Sequence, residues 1–536
     1  MHKLATTVSI FLLLSALLAA CNAGGAEPAQ TEPTLLRYAL TLAPSGIDPH
    51  VNASSELGIP LRSVYDTLVY QDPETGEFVP GLAERWQISD DGLVYTFDLR
   101  RDVHFQDGTP FNAKAVRANL ERITDPTTAS QKAVFLLGPY GRSEVVDDYT
   151  IRIHLQEPYA PLLDGLSQVY LGMASPAALE KWGADYQFHQ VGTGPYKFVE
   201  YVPNDHLTLE RNPDYIWGPE FVNNPGPASV DRVEFSFLVD PATRGPALES
   251  GDVDVVGEVP PRDAVRLDNR GDFVLHAVRI SGLPAEFFLN TAKPPLDDPQ
   301  VRQALLYATD RQAIVDTLFS GTSPVAYGPL NAATPGYSPR VAELYPFDQE
   351  RAAALLAQTG WADSDGDGVL DKDGDPLKLI MALGSWGFNP DMAQLIQAQW
   401  AEIGIQLDAE VMPYPGLLQA GQDGTHHLIG FNLFGSDPHI LWAFYHSQGG
   451  FSFSHATDET LDTWLDQAAT LAGPAHVQER YTLYGQIQGR IMDQALVLPV
   501  RDYVNLNVAR ANVQNLHYDA EGWAPWLVDV QVTPEK

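Results

Sequence analysis

The chain has 536 residues, with 69 acidic against 33 basic side chains and a net charge of −36, which excludes binding nucleic acid or an anionic membrane through a basic surface. Its single cysteine, Cys21, excludes an internal disulfide, so the fold must rest on apolar cores, and the length exceeds what one core usually serves. A hydrophobic share of 44% with 10% aromatics is that of a globular protein.

Met1–Lys3 give a weakly basic start, and Val8–Ala20 is apolar apart from Ser9 and Ser15. That run falls short of the about 20 residues a membrane-spanning helix needs, but it suits the core of a signal peptide. Leu18-Ala19-Ala20-Cys21 resembles the lipobox of bacterial lipoproteins, which implies removal of residues 1–20 and diacylation of the Cys21 thiol. The alternative is an ordinary secretory cut nearby, with Cys21 a bystander. Either way the chain is expected outside the cytoplasm, on the outer face of the cytoplasmic membrane if the lipid is attached. Asn22–Pro33 carries no large apolar side chain, so residues 21–34 read as a disordered tether for a body anchored by lipid alone.

Turns and strands follow. Asp72–Gly76, Asp90-Asp91-Gly92 and Asp107–Pro110 are turn sequences. Tyr95, Phe97 and Leu99 alternate with polar residues, as do Ile151, Ile153 and Leu155, and Val233, Phe235 and Phe237, which predicts half-buried strands. Asp298-Pro299 starts a helix, Asp310 caps another and Gly321 ends it. From Asp391, the residues Met392, Leu395, Ile396, Gln399, Trp400 and Ile403 share a helical face, Gly404 stops it, and Ile405–Val411 predicts a strand. Helices and strands intermix throughout, so the class is α/β.

Several longer segments are more specific. They are Gly46–His50, Val64–Val69, Asp72–Trp86, Ser89–Phe97, Phe105–Phe111, Gly192–Phe198, Leu248–Asp254 and Val301–Leu305. In this order and spacing, from about Leu35 to the end, the chain resembles the extracellular solute-binding proteins of ABC importers, family 5, the peptide/nickel-binding type. The resemblance implies a three-lobed periplasmic-binding-protein fold (type II, cluster C). Lobe I would take residues 35–59, 190–277 and 495–536, lobe II residues 60–189, and lobe III residues 278–494. Lobes I and III would close on a ligand held between them. The implied partners are a small-molecule or peptide ligand and ABC permease subunits, with the chain itself a monomer and no cofactor.

The site follows from the same likeness. In peptide-binding members an Asp-containing segment placed like Gly435-Ser436-Asp437-Pro438 meets the ligand's ammonium, which assigns that role to Asp437. An Asp before Pro at the start of an apolar helix is equally a good N-cap. Phe434 precedes it, Trp442 follows on the helix, and Gly430–Phe434 lacks the basic residue that longer-peptide members carry there. Trp386, Phe388 and Asn389, at the end of an apolar strand, are expected to line the cleft. Asp363, Asp365, Asp367, Asp371 and Asp373 match the first half of a calcium loop, but Gly374 stands where its bidentate Glu belongs, so a solvated acidic turn is the other reading. His426, His427, His439, His446 and His455 are of a type that suits nickel or zinc, yet none are paired at helical i, i+4 spacing. No hydrolase, phosphate-loop or dinucleotide motif is present. The expectation is a receptor for di- or oligopeptides; a nickel, metal-chelate or oligosaccharide receptor, a secreted hydrolase using two carboxylates, and a lipoprotein whose cleft has lost its ligand remain open.

Overall fold

The computed structural model describes residues 33–44 and 46–533, so the expected signal peptide, Cys21 and nearly all of the tether lie outside the described residues. Leu35 opens a unit holding three principal sheets. The first has seven strands in the order Phe273–Arg279, Val504–Arg510, Val255–Val256, Leu35–Leu40, Arg232–Phe237, His206–Arg211 and Tyr196–Val202. The second has five, in the order Gln406–Val411, Lys378–Leu383, Leu428–Phe431, Ala285–Leu289 and Val497–Arg501. The third is antiparallel, in the order Ala83–Ile88, Val94–Leu99, Thr150–Leu155 and Tyr140–Asp147. In chain order, the third sheet is inserted between strands of the first, and so is the second.

Local chemistry explains the elements. Val94–Leu99 and Thr150–Leu155 bury every second side chain, because successive residues of a strand point to opposite faces. Asp298 accepts from Gln300 N ahead of the helix Pro299–Tyr307, and Asp310 accepts from Ala313 N ahead of Arg311–Phe319. Two expectations shift. The helix expected from Asp391 begins at Asn389, with Phe388 in the left-handed region (φ 64°) before it. The strand Gln406–Val411 lies at a sheet edge, so Ala409 and Val411 are exposed despite their apolar character.

Two strands run from the first sheet straight into the second. Phe273–Arg279 pairs antiparallel with Val504–Arg510, placing Arg279 opposite Val504. Ile280 N then donates to Tyr503 O at 3.1 Å, and Ala285 faces Arg501 in the second sheet. Only Ile280–Pro284 and Asp502-Tyr503 lie between the paired stretches. The two bodies are thus joined by one narrow ribbon of backbone.

The Gly192-Thr193-Gly194 segment has a packing reason. A Cβ on Gly192 would lie 2.1 Å from the Val64 carbonyl oxygen, and one on Gly194 would lie 2.5 Å from that of Ser63. Asp66 beside it buries its carboxylate among hydrogen bonds from Tyr70, Thr193, Tyr215 and Trp217. Gly192→Ala is expected to cost about 1–3 kcal/mol of stability through overpacking. Urea denaturation with an unchanged midpoint would count against this close approach.

Candidate functional site

The segments that follow the parallel strands Lys378–Leu383 and Leu428–Phe431 both reach the ribbon. Leu283 N donates to Leu433 O at 3.0 Å, and Phe434 bridges Gly282. A Cβ on Gly387 would lie 2.8 Å from the Tyr503 hydroxyl, so only glycine lets the Trp386–Phe388 turn close on that ring. Trp386 donates its Nε1 to Asn432 Oδ1 at 3.3 Å, and Asn389 N donates to Trp386 O, which holds this turn in place.

These contacts assemble a ladder of rings with a guanidinium in the middle. Phe388, 37% exposed, meets Phe319 at 5.3 Å edge-on. The Arg501 guanidinium lies 4.1 Å from the Phe319 centroid and 4.3 Å from that of Tyr503. Tyr503 packs edge-on to Phe434 at 5.2 Å, and Phe434 stacks on Trp523 at 5.5 Å. Trp523 belongs to the C-terminal segment, so the ladder crosses from the five-stranded body to the seven-stranded one. Along it, Arg501 Nε, Tyr503 OH and Trp523 Nε1 are buried without a hydrogen-bond partner among the described residues. Phe388 and Phe434 from the sequence reading meet here, with Asn389 in the turn, while the ring of Trp386 faces Tyr414 at 6.2 Å instead. Arg501, Tyr503 and Trp523 were missed; the one sequence cue is a basic residue ending the apolar run Ala495–Val500.

Asp437 requires a correction. Its carboxylate is already taken: Arg480 Nη2 and Nη1 donate to Oδ1 and Oδ2 at 2.6 and 2.7 Å. Oδ1 also accepts from His439 N at 2.7 Å, in the turn ahead of the helix Ile440–Tyr445, whose N-cap is His439 and not the expected Asp437. Burial alone would raise the Asp437 pKa, but the Arg480 charge overrides it and holds the carboxyl below the usual range. The bidentate pair already neutralises the charge that a ligand ammonium would need. Trp442 is also displaced from the cleft: its Nε1 donates to Asp466 at 2.9 Å and its ring stacks on His446.

The acidic loop divides. Asp363, Asp365 and Asp367 converge at the surface, their oxygens accepting from backbone N–H groups of the same loop. Asp371 instead accepts from Ser364, and Asp373 sits in the turn of the hairpin Asp371–Lys372/Asp375–Pro376, so the five do not form one coordination loop. His426 bonds the Ala420 and Phe453 carbonyls, and His427 accepts from Ile380 N, so both serve the fold.

Beside the Asp437 segment, Ser436 Oγ donates to Asp164 of the four-stranded body. Ala160 N donates to Ala469 O at 2.7 Å across the same boundary. Between these bodies and the C-terminal segment lies a cavity walled by Arg62, Tyr70, Gln168, Ser436, Glu521 and Trp526, of about 20 Å³. That volume holds a water molecule and little more. A larger solute at this position requires the walls of the cavity to part.

Two predictions follow from these pairs. Asp437→Ala strands the Arg480 charge in a buried site and is expected to lower stability by about 3–5 kcal/mol, measured by chemical denaturation. Burial, then the neighbouring Asp437 charge, push the Asp164 carboxyl up to about 7. A carboxyl whose pKa is higher folded than unfolded stabilises at acid pH, and that contribution is lost as pH rises through the folded value. The buried histidines His50, His427 and His439, lowered to about 4, act in the opposite sense. The share of Asp164 is therefore read as a difference: Asp164→Asn should gain stability relative to wild type from about pH 4 to about pH 7. Parallel pH profiles of the two proteins would remove Asp164 as a titrating group.

The family model for bacterial extracellular solute-binding proteins, family 5 Middle, matches residues 77–452. The glutathione-binding protein GsiB of Escherichia coli O1:K1 / APEC is 35% identical over 283 residues, 52% of this chain and 52% of that one. The chain thus spans about half the length of the curated relatives it matches. NikA from Brucella suis, solved in complex with Fe(III)-EDTA, superposes with a TM-score of 0.82 at 25% identity, covering 93% of this chain and 100% of that one. DppA from Helicobacter pylori, in complex with the peptide STSA, gives a TM-score of 0.74 at 25% identity over 93% and 98%. With the family model matched across most of its length and the whole fold shared with these structures, the chain belongs to the bacterial extracellular solute-binding proteins of family 5.

Proposed function

We propose that this protein is the solute receptor of an ABC importer, tethered to the outer face of the cytoplasmic membrane through lipid on Cys21. It captures a short peptide between its lobes and presents it to the permease. The observation that carries this reading is the narrow ribbon beside the aromatic ladder. Two bodies joined by two short links can swing as rigid units, and the seam they close over is lined by rings and unpartnered polar atoms. Aromatic walls with a few fixed polar groups suit a small solute. The names of the relatives, glutathione-binding GsiB and peptide-bound DppA, favour a peptide.

Within this reading the three sheets head three lobes. Lobe I takes residues 35–59, 190–277 and 495–536, lobe II residues 60–189, and lobe III residues 278–494. The chemistry is binding rather than turnover, and the receptor acts as a monomer.

Native mass spectrometry of the full chain, extracted from membranes in mild detergent, followed by denaturation and identification of released solutes, tests the ligand. Release of peptides in a narrow mass window is the expected result. A metal chelate or sugar would replace the peptide, and turnover of a supplied substrate would replace the receptor with a hydrolase. Cys21→Ala is expected to move the protein from the membrane to the soluble fraction; unchanged membrane retention would remove the lipid anchor.

A further inference from the structure

Away from the ribbon, the four-stranded body meets the five-stranded one along a seam. Ala160 N donates to Ala469 O at 2.7 Å, and the Tyr159 ring meets that of His439 edge-on at 5.4 Å. Ser436 Oγ donates to Asp164 Oδ1 in the short helix Leu162–Ser167. The chain enters and leaves the five-stranded body through the ribbon, so these groups face one another only while the bodies are closed.

Charge does not balance around Asp164, which is 5% exposed. Asp437 is taken by Arg480, and Asp519 lies 3.6 Å from Arg62. Lys132, 4.2 Å from the Tyr170 centroid, acts on Asp164, Asp519 and Glu521 together. Four carboxyls thus face three bases. The remaining titratable groups packed there supply no further cation. Burial drives His439 to about 4, so it is neutral, and Tyr70, Tyr159, Tyr170, Tyr481 and Tyr484 are held as phenols. A buried carboxylate short of a cation is costly, and a proton removes the cost. The hydrogen bonds have room for one. Asp164 Oδ2 accepts from Gln168 Nε2 at 3.0 Å, while Gln168 Oε1 is buried without a partner among the described residues. Half a turn of that amide sets its oxygen against Asp164, where a carboxyl proton can donate to it.

We propose that closing the five-stranded body onto Asp164 takes up one proton from solvent at that carboxylate, so that this seam is a latch that holds in acid and loosens toward neutral pH. This rests on the receptor reading above and adds a control on its closure. Opening withdraws Ser436 and Asp437 and admits water, which returns the carboxyl to the ordinary range of about 4. In the closed form burial, and after it the Asp437 charge, raise it to about 7 against the pull of the Ser436 hydrogen bond. The closed form therefore binds the proton more tightly. Its contribution to closure is full below about pH 4 and is lost as pH rises through about 7.

The Ala160 amide reports the latch directly, because its acceptor lies across the seam. The test is hydrogen exchange of the full chain in detergent micelles, resolved to that amide by mass spectrometry and corrected for the intrinsic effect of pH. Amides of the strand Thr150–Leu155, inside the four-stranded body, serve as the control for folding. In the wild-type protein, protection of Ala160 should fall at least about tenfold between pH 5 and pH 7.5, with the control strand unchanged. Asp164→Asn, which carries no charge at either pH, should keep Ala160 protected throughout. Ser436→Ala loses a bond that favours the carboxylate, so its profile should shift to higher pH. A flat wild-type profile overturns the latch and leaves the receptor reading standing, whether or not the variants fold. A fall that survives in folded Asp164→Asn, or an unmoved Ser436→Ala profile, overturns the assignment to Asp164. An Ala160 amide unprotected at every pH, beside a protected control strand, means that the bodies do not close and overturns both the latch and the receptor reading.

Discussion

The pairing of Phe273–Arg279 with Val504–Arg510, continued by Ala285 opposite Arg501, is the constraint on which the rest of the structure depends. It makes one two-stranded ribbon belong to two sheets. The residues between the two sheets, Ile280–Pro284 and Asp502-Tyr503, are few, and Ile280, Leu283 and Tyr503 among them join an apolar cluster that runs through both bodies. The proposed closure would turn on this handful of backbone dihedrals. The same geometry brings the loops after the parallel strands of the five-stranded sheet against Tyr503, so the candidate site and the hinge share residues.

Charge is handled unequally across the molecule. Most of its acidic excess is exposed, but a few ionisable groups are buried, and their partners decide what they do. Asp437 and Arg480 neutralise each other through two short hydrogen bonds and stitch the helix Val477–Asp493 to the segment that follows Phe431. Asp164 is buried with another carboxylate nearby, which favours its protonated form against the pull of the hydrogen bond from Ser436. Arg501 lies against the rings of Phe319 and Tyr503, with the charges of Glu258 and Asp502 acting on it. A buried pair of opposite charges serves architecture.

Much of the fold was legible from residues alone. Alternation placed Val94–Leu99 and Thr150–Leu155, because a strand buried on one face must alternate. Asp298 and Asp310 announced their helices, because an N-cap acts over two or three residues. The order of turn and strand segments pointed to the family. The site was read less well. Phe434 and Phe388 do gather on the ladder, yet Trp386 faces Tyr414 and Trp442 turns to Asp466 and His446. Asp437 was assigned to a ligand because its partner, Arg480, lies 43 residues further along and nothing local marks it.

What the sequence by itself determined are properties set over short stretches of chain: acidity, the α/β class, most of the caps and turns, and through segment order the family. Only the tertiary structure decided which charges are satisfied. Pairing of Asp437 with Arg480, the stacking of Arg501 between Phe319 and Tyr503, and the meeting of Phe434 with Trp523 all join distant segments. Whether a side chain is spent on the fold or left for a ligand depends on what packing brings within a few ångströms of it, and no local pattern records that distance.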